Sequence, residues 1–281
     1  MKTKKTVGNV VVYAILIIMS IIWILPFIGI FIESFETATG GTTKYLWPRK
    51  WGFDNYINLF TNPEKHFGRW FLNTFIMGLI VSVLQTIFVL AMSYVLSRMR
   101  FKGRKGLMNL MLILGMFPGF LTLILLYKVL ADFNLTGENS IWGLILVYVA
   151  SSGMGYYVSK GFFDTIPKSL DEAARVDGAT RAQVFFKITL PMAKPIVIYT
   201  ILMGFMAPWG DFVLASYIAH GVNDGMNVAV GMKDMISLTN IGKFYRQFCA
   251  AGVVVSVPIT ALFMFLQKYY VEGVTGGAVK G

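Results

Sequence analysis

The chain has 281 residues, of which 56% are hydrophobic and only 14% charged. An average globular chain carries about 25% charged residues, so this composition cannot cover a water-facing surface and excludes a soluble fold. The net charge of +11 therefore bears on membrane orientation, and no nucleic-acid partner is expected.

The single cysteine, Cys249, excludes an intramolecular disulfide. The two distant histidines, His66 and His220, offer no ligand spacing for a metal. A membrane span needs about 20 predominantly apolar residues. Residues 10–32 and 71–97 contain no charge at all, and six spans are predicted at about 10–32, 71–97, 107–130, 140–162, 195–218 and 248–268. The expected fold class is all-α, a polytopic membrane protein.

Taken in chain order, the first span follows Lys2, Lys4 and Lys5. It is too long for a cleaved signal and no cleavage pattern follows, so it reads as a retained helix bent at Pro26 and ending at Glu33. The long loop after it carries Trp47, Trp51, Phe53, Tyr56 and Phe60, an aromatic stretch suited to headgroup anchoring. Span 2 holds Gln85 and Thr86 at mid-depth, and five positive residues lie within 98–105 after it, a topology determinant. Pro118 and Gly119 are expected to bend span 3 and Pro258 span 6. Ser151, Ser152, Gly153 and Gly155 in span 4 permit close helix approach. The loop 131–139 has no Lys or Arg, whereas the N-terminus, 98–105 and 163–194 are rich in both, which predicts that both termini are cytoplasmic.

Residues 163–194 are too polar to cross a bilayer and too short to fold as a domain. Ser169 and Glu172 have capping-box spacing after Pro167, predicting a helix that runs to Asp177 and ends at Gly178 in a left-handed cap. Thr180 and Gln183 repeat the spacing and open a second helix that stops at Pro191. The result is a helical elbow with a small-residue ridge at Ala173 and Ala174 and an apolar flank at Val184, Phe185 and Ile188. Two readings fit it equally: docking into a groove on a partner, or resting on the membrane surface.

Glu172, Ala173, Ala174, Asp177, Gly178 and Ala179, followed in register by Phe185, Ile188, Leu190, Pro191 and Pro195, resemble the EAA loop of permease subunits of binding-protein-dependent ABC importers. The resemblance extends over 71–267, with 1–70 as an N-terminal helix and long extracytoplasmic loop and 268–281 as a cytoplasmic glycine-rich tail. The ending 274–281 resembles the tail of the smaller permease of maltose and maltodextrin importers. This resemblance implies a type I importer permease fold in a prokaryotic plasma membrane. Glu172, Ala173, Ala174, Asp177, Gly178, Ala179, Phe185, Leu190 and Pro191 would couple to a cytoplasmic ATPase dimer. It also implies a larger partner permease, an extracytoplasmic sugar-binding protein and an oligosaccharide cargo.

The chain holds no G-x-x-x-x-G-K-[ST] phosphate loop. It is therefore expected to be non-catalytic and to carry no cofactor, with ATP and magnesium residing on the partner ATPase. Asp211 is read as the one acid deep in a span, beside Trp209. With Gln85, the two are candidates for a substrate pathway or for contacts within the bundle. An ion-driven transporter would need more spans, often as internal repeats, and midplane ionisable groups. A membrane enzyme would need clustered catalytic groups. The elbow does not distinguish an oligosaccharide from another sugar, an amino acid, glycerol phosphate or polyamine.

Overall fold

A computed structural model of the chain describes residues 2–37, 47–116, 119–151 and 153–278. The helices are α1 (Lys2–Ser34), α2 (Asp54–Thr61), α3 (Phe67–Arg98), α4 (Arg104–Gly115), α5 (Gly119–Asp132), α6 (Ser140–Ala150) and α7 (Gly153–Thr165). They continue as α8 (Lys168–Val176), α9 (Arg181–Val184), a π turn (Phe185–Thr189), α10 (Leu190–Met192) and α11 (Lys194–Gly210). The last are α12 (Val213–Ala219), α13 (Val228–Met235) and α14 (Ile241–Ala278). The described residues contain no strand, only an isolated bridge between Glu36 and Trp51.

In hydrocarbon every backbone N–H and C=O must be satisfied within the segment, which is why the long apolar runs become helices. Four helical stretches are long and apolar enough to cross a membrane: Asn9–Ser34, Phe67–Arg98, Gly137–Thr165 and Ile241–Lys268. A fifth is counted if Arg181–Met192 and Lys194–Gly210, bent by 83°, form one span. The third predicted span comprises two shorter helices, α4 and α5, and its expected bend at Pro118 lies outside the described residues. Helix α1 runs through Pro26 and α14 through Pro258 without a break.

The fifth span and the second elbow helix differ from expectation. The fifth span does not reach 218, because α11 ends at Gly210 and Asp211 is extended (φ −81°, ψ 103°). Asp211 is therefore a corner residue and not an acid within a helix. Helix α14 continues into the glycine-rich segment as far as Ala278. The second elbow helix continues past Pro191 to Met192 and breaks at Ala193. The break follows from Pro195, which has no N–H to continue the ladder and whose fixed φ suits the first turn of the next helix.

The chain divides into two compact units, Met1–Gly68 with Met232–Val257, and Arg69–Gly231 with Pro258–Gly281. In the first, Glu33 accepts from Arg246 Nε at 3.0 Å, and the Asn55 side-chain amide donates to the carbonyls of Ser34 (2.9 Å) and Glu36 (2.8 Å). Phe35 packs on Trp51, Phe53 and Tyr56. Trp47, Trp51, Phe53 and Phe60 remain exposed, as do the apolar side chains of α1 from Val10 to Phe31.

The second unit has two buried clusters. One joins Met77, Val81, Leu144, Ile145 and Ile218; the other joins Leu90, Tyr94, Phe163, Ile166, Ala193 and Ile196. Helices α3 and α11 approach closely because Gly78 lies against Phe205 and Gly204 against Ser82. A Cβ on either glycine would fall 2.9 Å and 2.8 Å from backbone atoms of those neighbours. The second cluster lies at the foot of the elbow and holds it.

Candidate coupling site

The elbow is organised around its central turn. Helix α8 closes with a Schellman motif, in which Ala179 N–H donates to Ala174 O (2.9 Å) and Gly178 N–H to Arg175 O (3.1 Å). Gly178 takes the left-handed conformation this motif requires, φ +86°. Thr180 then caps the next helix. Its Oγ1 accepts from Gln183 N–H at 3.2 Å while Gln183 Oε1 accepts from Thr180 N–H at 2.8 Å, a complete capping box.

The box expected at Ser169 does not form. Pro167 occupies the cap position and starts the helix directly, so Ser169 already has helical backbone and makes no cap. The first turn is held by Asp171 instead. Its Oδ2 lies 2.9 Å from Arg98 Nε, and its Oδ1 accepts from Thr189 Oγ1 at 3.3 Å. Arg98 Nη2 also donates to Ile166 O at 2.8 Å. One carboxylate thus ties α8 to the end of α3 and to the π turn. Sequence reasoning missed this role for Asp171 because its partners lie 73 and 18 positions away (171 − 98; 189 − 171).

The candidate residues separate into two faces. Glu172, Ala173, Asp177 and Gly178 are exposed, and Ala174 and Ala179 are half-buried. Phe185 and Leu190 pack inward on the second cluster, with the Phe185 ring 4.7 Å from that of Tyr94. Pro191 is exposed. The flank at Val184, Phe185 and Ile188 therefore anchors the elbow, and Val184 is fully buried. Val176 is 87% exposed at the tip. A β-branched residue two positions before the glycine cap was the available signal for it.

The pathway candidates are not brought together. Asp211 Oδ2 accepts from Tyr148 Oη at 2.7 Å and Oδ1 from Leu214 N–H at 3.1 Å, so both oxygens are engaged. Trp209 is buried against Phe71 and Phe205. Gln85 faces α11, where a Cβ on Gly204 would lie 2.9 Å from its Oε1. The corner at Asp211 is held by Asn227, whose side-chain amide donates to Asp211 O (2.7 Å) and Pro208 O (2.9 Å) while its Oδ1 accepts from Val230 N–H (2.9 Å).

The chain is 35% identical over its full length to the galactooligosaccharides transport system permease protein GanQ of Bacillus subtilis (strain 168), covering 99% of that protein. It is 34% identical to the maltodextrin transport system permease protein MalD of Streptococcus pneumoniae, covering 100% of this chain and 98% of the relative. Its fold matches a chain in the crystal structure of a bacterial ABC transporter involved in the import of the acidic polysaccharide alginate. That match has a TM-score of 0.77 at 22% identity over 95% of this chain and 98% of the other. The binding-protein-dependent transport system inner membrane component family matches residues 90–276. The chain belongs to this family and is a multi-pass permease component of a sugar ABC transporter.

Proposed function

We propose that this chain is one of two permease subunits of an ATP-driven importer, that it passes an oligosaccharide of maltodextrin type, and that the elbow receives the ATPase stroke. In this reading the chain has six spans with both termini cytoplasmic; α4 and α5 together supply the third and α11 the fifth. ATP and magnesium reside on a separate ATPase dimer. A larger permease and an extracytoplasmic sugar-binding protein complete the assembly.

The observation that carries the coupling role is the two-faced elbow. A partner moving Glu172, Ala173, Val176 and Asp177 would move a body whose central turn is capped on both sides. Through Asp171–Arg98 and Phe185–Tyr94 that displacement would pass to α3, and through the short link at Ile166 and Pro167 to α7. A ligand shifts such a two-state bundle only by its differential affinity for the two states. The elbow's part is mechanical, and this chain performs no hydrolysis.

The cargo reading is supported by relatives named for maltodextrin. A second reading, a galactooligosaccharide cargo, is favoured by the 35% identity to GanQ against 34% to MalD. Glu172→Lys combined with Gly178→Asp tests coupling. The variant should insert at normal levels and lose uptake, whereas normal uptake at normal expression would refute the role.

A further inference from the structure

The outer face of the elbow meets the proposed partner; beside it, α8, α9 and the end of α3 border an open-sided cavity of about 460 Å³, with Glu172 on the rim that the two share. Five cations line it, Arg98, Arg100, Lys168, Arg175 and Arg181, against two acids, Asp171 and Glu172. Asp171 is already committed to Arg98 and Thr189. Lys168 also acts on Asp164, and Glu172 is the one other acid in the lining, so the remaining cations leave the cavity with an excess of positive charge.

Arg98 gives the cavity a specific chemistry. Its side chain is 5% exposed, and its Nη1 is buried with no acceptor among the described residues. A buried guanidinium N–H without an acceptor is costly, and the fork of an arginine matches phosphate oxygens in geometry and charge. The adjoining loop repeats the pattern. A neighbouring cavity of about 640 Å³ is lined by Arg100, Arg104 and Lys105 with no acid, and Arg104 Nε is also buried without an acceptor. Both cavities lie where the long apolar helix α3 ends, and basic pockets at the ends of membrane-spanning helices bind acidic headgroups.

We propose that the elbow cavity is a phosphate-anion site, with Arg98 Nη1 at its base and Arg175 and Arg181 on its walls, filled from an acidic phospholipid headgroup. An anion there would brace α8 against α3. The proposal rests on the importer reading only for which leaflet supplies the lipid.

The test uses the purified full chain in mild nonionic detergent. It is titrated separately with short-chain phosphatidylglycerol, short-chain phosphatidylcholine and inorganic phosphate, and retained ligand is counted by native mass spectrometry. Phosphatidylglycerol should be retained and phosphatidylcholine not. Arg175→Gln with Arg181→Gln should weaken phosphatidylglycerol by at least about tenfold, as expected for losing two basic contacts to a headgroup.

Displacement of phosphatidylglycerol by inorganic phosphate at equal concentration would support the anion site and identify a soluble ligand; persistence of the lipid would support the headgroup. Equal retention of the two lipids, or unchanged affinity in the double variant, would overturn the proposal. If that variant loses helix content, Arg100→Gln provides the same comparison from the loop, with the same outcomes. No transport or ATP hydrolysis is read, so failure of the importer reading would be seen separately.

Discussion

The elbow around Gly178 and the corner around Asp211 both turn the chain between helices of the same unit, by opposite means. At the elbow the exposed backbone groups are satisfied by neighbours within five residues, in the Schellman motif and the Thr180 box. At the corner they are satisfied across the fold. Asn227 bonds Pro208 and Asp211, and Asn73 Nδ2 on α3 donates to Asp224 O (2.8 Å) and Met226 O (2.9 Å). Ser140 Oγ on α6 donates to Gly225 O at 2.6 Å. The difference teaches that a locally capped turn keeps its shape while moving as one piece, whereas a remotely clamped corner is only as stable as the packing around it.

Mutations should expose that contrast. The largest effect is expected at the corner, where Asn227→Leu leaves two carbonyls and one N–H buried without partners. The loss should be at least about 3 kcal/mol, from about 1–3 kcal/mol for each unsatisfied group, read as a large fall in melting temperature in detergent. An unchanged melting temperature would mean that the clamp is not structural.

Next in size is Arg98→Met, which strands the Asp171 carboxylate under the elbow and should cost about 3 kcal/mol. Substituting Asp171→Leu in the same chain should restore part of that loss; no recovery would show that the pair is not the tie between α8 and α3.

The capped elbow should respond more mildly. Gly178→Ala forces a Cβ into the left-handed conformation at a cost of about 1–2 kcal/mol. Uptake should fall further than melting temperature does, because the turn is in open space and little packing is lost. The smallest effect is Thr180→Ala, about 1 kcal/mol. Adding Gln183→Ala should cost less than its own single value, because the two side chains share one box. Additive losses would show two independent caps.

What could be read from the sequence follows the same division. Gly178 and the Thr180–Gln183 box were legible because their partners are sequence neighbours, and the apolar runs were legible because lipid demands them. The Ser169 box was a false positive: its spacing is right, but Pro167 starts the helix first and Asp171 holds the turn through Arg98. The predicted fifth span is too long because the sequence stays largely apolar past Asp211, over 212–218. The end of α11 at Gly210 is held by Tyr148 and Asn227, residues distant in sequence. Trp209 beside an acid reads equally as a pathway residue or a bundle contact, and its ring is packed on Phe71 and Phe205. The inward turn of Phe185 depends on Tyr94, which no local pattern announces.

The central claim is that the outer face of the elbow meets an ATPase on the cytoplasmic side. Cys249 is the chain's single cysteine and is buried, so an introduced cysteine is the accessible one. Val176→Cys at the elbow tip and Leu238→Cys, on a fully exposed residue between α13 and α14, would each be treated in native membranes with a short thiol-to-amine cross-linker. The adducts would then be identified by mass spectrometry. The account predicts an ABC ATPase subunit joined at position 176 and absent at 238. An ATPase adduct at 238 alone, or none at 176 in membranes that still transport, would contradict it.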